Sequence, residues 1–206
     1  MSLILQGSTS GSVTLQEPAV AGTTVLTLPA TSGNVVVDSA TQTLTNKTIE
    51  GGTVISGTAV SASSTSVDFT SIPSWVKRIT VMFRGVSTNG TSNPLFQLGA
   101  GSVQTSGYLC ASGVISTGNI TNAANYTTGF GLASGDASNV IHGSCTFSLM
   151  GSNIWVWSMT MGASNTTNPF YGGGSVSLSG TLDRIRITTV NGTDTFDAGT
   201  INILYE

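Results

Sequence analysis

The chain has 206 residues, a formal net charge of −3 and only 7% charged side chains, against about 25% in ordinary soluble domains. Six basic residues are too few to clamp a phosphate backbone, which excludes nucleic acid as a partner. No apolar run approaches the roughly 18 residues of a membrane span, so the reading is of a folded chain whose surface is made polar by Ser, Thr, Asn and Gly.

The N-terminus, "MSLILQGSTS", has neither a basic leader region nor a long apolar stretch, and no secretory signal is expected. Three short strands follow, in "SVTLQEP", "TTVLTLP" and "NVVVD", separated by "AVAG" and "ATSG". They have little aromatic content, and a segment this small rarely supports itself. "TQTLTNKTIEGGTV" then links it to the rest, with Leu44, Ile49 and Val54 as isolated apolar residues. Winding of three chains about one axis would bury these three and pair each chain's strand edges. The expected organisation is therefore a trimerising attachment segment with connector over 1–57 and one larger domain over 58–206.

Beyond Thr58, helix-disfavouring residues dominate and period-two alternation takes over. "KRITVMFRGV" sets Ile79, Val81 and Phe83 on one face and Arg78, Thr80, Met82 and Arg84 on the other. "VIHGSCTFSLM" sets Ile141, Cys145, Phe147 and Leu149 opposite His142, Ser144, Thr146 and Ser148. "LDRIRITTV" and "GTINILYE" alternate likewise, with Ile185, Ile187, Ile201, Ile203 and Tyr205 facing inward. Turn signals separate these runs: "TNGTSNP", "SGDAS", "MGSN", "GASNTTNP", "YGGGS" and "VNGTD". Short strands so spaced, with no helical crossovers, predict an all-β fold: an antiparallel, jelly-roll-like β-sandwich preceded by the short β-rich segment.

In "NIWVWSMTMGA", Trp155, Trp157, Met159 and Met161 share one face and Ile154 and Val156 the other. An apolar stripe of that size needs cover. The expectation is a core on one side and a trimer interface at Trp155 and Trp157. The other reading makes one tryptophan a platform for a sugar ring. Cys110 and Cys145 lack metal-ligand spacing and read as a buried reduced pair or an opportunistic disulfide.

Catalysis finds little support. The single histidine, His142, lies on the polar face of a strand. The carboxylates Asp68, Asp136, Asp183, Asp194 and Asp197 are scattered. Asp194 and Asp197 in "TDTFDAG" read as turn formers rather than as a glycosidase pair or a Ca²⁺ site. No catalytic residue, metal site or cofactor is expected. N-x-S/T sequences such as those at Asn89, Asn125 and Asn191 arise by chance in so Asn- and Thr-rich a chain. The glycines of "YGGGSVS" lack the lysine and helix of a phosphate loop.

The stretch "GSVTLQEPAVAGTTVLTLPATSGNVVVDSATQTLTNKTIEGGT" resembles N-terminal and connector segments of tailed-bacteriophage fibre and virion-appendage proteins. The stretches "VDFTSIPSWVKRITVMFRGVSTNGTSNPLFQLG" and "TDTFDAGTINILYE" resemble tail-fibre tip domains. The resemblance implies a β-rich homotrimer located on the virion and assembled in a bacterial cytoplasm. It further implies attachment to tail, baseplate or capsid proteins through the N-terminus and a tip that contacts a host-surface glycan or protein. A purely architectural fibre or decoration protein is the alternative, and a glycan depolymerase a more distant one. Candidate recognition loops are 87–94, 116–127, 134–139 and 163–174, with Asn89, Asn93, Asn125, Tyr126, Asn168 and Tyr171 as saccharide contacts through uncharged donors, acceptors and flat faces.

Overall fold

A computed structural model of the protein describes residues 3–16, 19–20, 22–23, 54–116 and 119–206. The chain divides into two units, Met1–Thr48 and Ile49–Glu206. Among the described residues all regular structure is β, every pairing between strands is antiparallel, and there is no helix.

In the first unit, β1 (Leu3–Gln6) pairs with β2 (Ser12–Leu15). The hairpin closes where Gly7 N–H donates to the Gly11 carbonyl, 2.8 Å away. The alternation within "SVTL" is borne by β2, whereas β1 lies in the opening residues, where no strand was expected. Ile4, Leu5 and Val13 are each more than half exposed, so the hairpin leaves its own apolar residues uncovered. The expected strands in "TTVLTLP" and "NVVVD", with Leu44 and Ile49, lie outside the described residues.

The second unit runs through β3 (Ile55–Ser56), β4 (Val60–Ser61), β5 (Val67–Thr70), β6 (Arg78–Thr88) and β7 (Pro94–Ala100). It continues with β8 (Ser102–Val103), β9 (Leu109–Ser116), β10 (Asn119–Tyr126), β11 (Phe130–Gly131) and β12 (Ile141–Gly151). β13 (Ile154–Ala163), β14 (Pro169–Ser177), β15 (Arg184–Thr189) and β16 (Phe196–Tyr205) complete it. The larger sheet has the order β10-β9-β14-β13-β12-β6-β16-β3, with β4 also on β16. The smaller has the order β11-β7-β15-β5, with β8 on β7. Because Ile55–Ser56 pairs with Leu204–Tyr205, the larger sheet takes in residues on the N-terminal side of Thr58.

The two sheets share one core. Ile79, Val81 and Phe83 of β6 are buried, as their alternation predicts, and so are Ile185, Ile187, Ile201 and Ile203. Several aromatic contacts cross between the sheets. Phe96 of β7 lies 5.5 Å from Phe83 and 6.2 Å from both Phe147 and Trp157, ring centre to ring centre. Phe130 of β11 stacks on Trp157 at 5.2 Å, with 20° between the planes. Aromatic pairs of this kind add about 0.5–1.5 kcal/mol each beyond the area they bury.

The tryptophan strand requires a correction. Trp155, Trp157, Met159 and Met161 all point into this core, where the two tryptophans are 2% and 1% exposed. They are therefore neither a face between copies nor a sugar platform. The opposite side of β13 carries half-buried Ile154 and the exposed Val156, Ser158 and Thr160. Cys110 and Cys145 are buried, free thiols.

Connections cluster at the two ends of the unit. Thr88, Ile141, Ala163, Pro169 and Phe196 lie at one end, because each sits beside a neighbour from that group in the strand register or continues a strand adjoining it. Ile55, Ile79, Ser177 and Tyr205 lie at the other. The unit's first described residues and its C-terminus therefore share one end, and the turns 88–94, 163–169 and 190–195 share the opposite, distal end.

Tyr108 gives this core a pH limit. Its hydroxyl accepts from Leu98 N–H at 2.8 Å and donates to the Gln104 carbonyl at 3.0 Å. Burial pushes the phenol from 10.0 up to about 12. A raised folded-state value means that this contribution is present in full below pH 10 and drains away as pH climbs toward 12. That rise corresponds to about 2.7 kcal/mol. Denaturant unfolding at stepped pH should show stability falling above pH 10, with a shallower fall in Tyr108→Phe. Equal slopes in the two proteins would remove Tyr108 as the cause.

Candidate functional site

Two of the four candidate loops are largely strand. Residues 119–126 form β10, paired with β9, and 169–174 lie within β14. The glycine run "YGGGS", expected as a turn, sits in the middle of β14. Its glycines are there for space. A Cβ on Gly172 would stand 2.8 Å from the Trp157 ring and 2.7 Å from the Ser112 side chain. A core-facing side chain at this position would collide with the indole that fills the same space from β13. A strand of glycines beside a tryptophan is the signal that turn chemistry masked.

The outer surface of the same strands is also built from small residues. Across β10, β9 and β14 the register aligns Asn125, Ala111 and Gly173 in one row, and Ala123, Gly113 and Tyr171 in the next. Small residues thus form a floor between a tyrosine ring on one side and an amide on the other. The floor is concave. A hollow of about 370 Å³ is lined by Ala111, Gly113, Ala123, Tyr171 and Gly173. A second, of about 460 Å³, shares Ala111 and Gly173 and reaches Leu109 and Asn125. Leu109 is 73% exposed at its rim. The groove offers flat apolar contact, one amide and no ionised group, which suits a ring with an apolar face and hydroxyl edges.

Of the six expected contact residues, Asn125 and Tyr171 are brought together here. Tyr126 borders the same groove but is 7% exposed. Its hydroxyl accepts from Asn93 Nδ2 at 2.8 Å, and burial raises its pKa. It is a packing residue, which corrects the expectation of a displayed ring. Asn93 is also spent internally, since its Oδ1 accepts from Gly135 N–H at 2.6 Å. Asn89 is exposed, yet its Oδ1 accepts from Thr195 N–H at 2.8 Å and ties the 88–94 turn to 190–195. Asn168 is half-buried at the β13–β14 turn, where its carbonyl accepts from Ala163 N–H. Val54, at the start of the second unit, is 48% exposed.

The described acidic residues of this unit are committed locally. Asp68 binds Arg186 through two hydrogen bonds of 2.7 and 2.9 Å. Asp183 binds Arg184, Glu206 binds Arg78, and Asp197 accepts from Ser87 Oγ. Asp194 accepts from Asn191 Nδ2 and Ser92 N–H, and these hold its pKa below the ordinary value. Hydrogen bonds from Ser138 lower Asp136, and the Arg184 guanidinium lowers Asp183. A general acid needs the opposite shift. His142 is exposed on the outer face of β12. Among the described residues, no three His, Cys, Asp or Glu side chains gather as metal ligands, and no helix is long and apolar enough to cross a membrane.

No protein-family model matches the chain, and comparison with curated proteins and with solved structures also gave no match.

Two adjacent glycines test this geometry. Gly172→Ala should cost about 1–3 kcal/mol, because its methyl meets the Trp157 ring. At Gly173 the nearest atom to an added Cβ is the Trp157 carbonyl, an ordinary contact at 3.7 Å. Gly173→Ala should stay within about 0.5 kcal/mol of the parent. Chemical denaturation of both variants checks the contrast. Equal losses would show that Trp157 does not dictate the glycine strand.

Proposed function

We propose that this protein is a structural, non-enzymatic appendage of a bacteriophage virion, a homotrimer whose larger unit is a jelly-roll-like β-sandwich tip that attaches to the host surface. The N-terminal segment joins it to other virion proteins. The observation that carries the reading is the polarity of the larger unit. Its chain enters beside its C-terminus at one end, while the Asn-, Ser- and Gly-rich turns gather at the other. An appendage fixed by its N-terminus would present those turns outward. The uncharged groove with Tyr171 and Asn125 on the flank of the unit fits a saccharide, bound weakly at each copy because every hydrogen bond made replaces one to water. The locally paired carboxylates favour binding over hydrolysis.

The trimer is supported by the hairpin that leaves Ile4, Leu5 and Val13 uncovered, and by the exposed Val54 and Ile55. Two strands alone are marginal in water, and a second and third copy would supply the missing cover. Light scattering at micromolar concentration should give three times 20.9 kDa. A stable monomer at that concentration would rule out the interwound arrangement.

Attachment is tested on whole particles. Antibody labelling in electron micrographs should place the protein on an external appendage, and Tyr171→Ala should lower host adsorption several-fold with the trimer intact. Labelled appendages with unchanged adsorption would shift the reading to a purely architectural fibre. No label on the particle would remove the virion role altogether.

A further inference from the structure

A second groove lies on the other outer face, over the smaller sheet and toward the same distal end. It encloses about 320 Å³ and is lined by Thr65, Ser66, Gln97, Thr128, Arg186 and Val190, among others. That is near the lower end of the range of about 300–1,000 Å³ for small-molecule sites, room for one or two sugar rings rather than a long polymer. It shares no lining residue with the Tyr171 groove.

We propose that this groove is a binding site for a neutral pyranose unit. The argument begins with groups whose orientation is already set. Gln97 is 7% exposed, and its Nε2 donates to the Thr128 carbonyl at 2.8 Å. The amide is therefore fixed in a buried setting, and its Oε1 is the acceptor it offers to the groove it lines. Arg186 stands opposite Gln97 in the β15–β7 register and opposite Asp68 in the β15–β5 register. Asp68 takes the Nε and Nη2 edge of the guanidinium at 2.7 and 2.9 Å. That leaves the Nη1 donors, held in a plane by the ion pair. The hydroxyls of Thr65, Ser66 and Thr128 add groups that both donate and accept.

Ligand class follows from this set. Adjacent sugar hydroxyls each donate and accept, and they match a fixed amide and guanidinium better than a single-sign ligand does. The Arg186 charge is offset by Asp68, and the neighbouring Arg184 by Asp183. The groove thus carries no net positive charge to hold a phosphate or carboxylate, which selects a neutral ring over an acidic one. Val190, 48% exposed, supplies an apolar spot for the ring's C–H face. The site stands whether or not the protein serves a virion, and its test is separate from the particle experiments.

Saturation-transfer NMR on the full-length protein, with the methyl α-pyranosides of glucose, galactose and mannose as probes, tests it. Methyl α-sialoside serves as the acidic comparison. At least one neutral glycoside should receive saturation, with a Kd on the order of 1 mM. Arg186→Lys, which keeps charge and loses the planar fork, should weaken it at least fivefold, as should Gln97→Leu. Thr128→Trp, which changes an exposed rim residue, should abolish binding and decides the matter if Gln97→Leu does not fold. All of these measurements are made in a Tyr171→Ala background, which removes any contribution from the groove under Tyr171 and leaves the signal of this groove alone. The proposal is overturned by absence of transfer from all three neutral probes, by preference for the sialoside, or by binding that ignores Arg186→Lys and Thr128→Trp.

Discussion

Contact between Phe96 and Phe130 of the smaller sheet and Phe83, Phe147 and Trp157 of the larger one is the constraint on which the rest of the second unit depends. Few charged groups are available for pairing, so burial across this seam is the main source of cohesion. The seam also reaches outward. Trp157 is large enough to demand a glycine at position 172 on the neighbouring strand. With Gly173 beside Gly172, and Ala111 and Gly113 across on β9, little side chain projects from this part of the outer face. The hollow under Tyr171 thus lies on the opposite face of the strand that Trp157 constrains, floored by Gly173, Ala111 and Gly113.

Low charge has a second effect, at the distal end. Loops that carry few ions must be held by neutral groups, and here asparagines do it. Asn93 bridges Tyr126 and Gly135, Asn165 accepts from Val140 N–H, and Asn191 binds Asp194 while receiving the backbone N–H groups of Thr193 and Asp194. An amide that donates and accepts at once can replace a backbone pairing that a turn leaves unmade. Asparagine-rich turns therefore read in the sequence as free donors and acceptors, whereas several are already spent on the protein. That is why Asn89 and Asn93 looked like ligand contacts.

Legibility followed side-chain size. Strands with bulky alternation, such as β6 with Ile79, Val81 and Phe83, or β15 with Ile185 and Ile187, were evident because the period is visible when one face is large and the other polar. β9, β10 and β14 were not. Their outward positions mix Ala, Gly, Asn and Ser with Leu109, Ile115 and Tyr171, and β14 has glycine on both faces, so neither period nor propensity marks them. These strands also carry the groove under Tyr171, which left it unreadable as a surface even though Tyr171 and Asn125 were singled out. The Trp155–Trp157 stripe erred in the opposite direction. Its apolar face was plain, but the sequence alone does not say that Phe96 and Phe130, from a separate sheet, cover it. The groove over the smaller sheet needed the pairing of Asp68 with Arg186 across 118 positions, which no local pattern records.

The two grooves share a logic that follows from composition. Neither relies on net charge, so neither gains long-range attraction, and encounter with a ligand proceeds without steering. Each offers only a few hydrogen bonds, and each of those replaces one to water. A single site of this kind holds its ligand weakly. Such a surface becomes effective when copies are tethered close together, because the second contact then draws on local rather than bulk concentration. Weak neutral sites and multiple copies are therefore linked requirements. The unit's polarity, with chain entry at one end and turns at the other, permits copies fixed by their N-termini to face the same way. In that arrangement the modest chemistry of one groove is sufficient, and release of any single contact leaves the others in place.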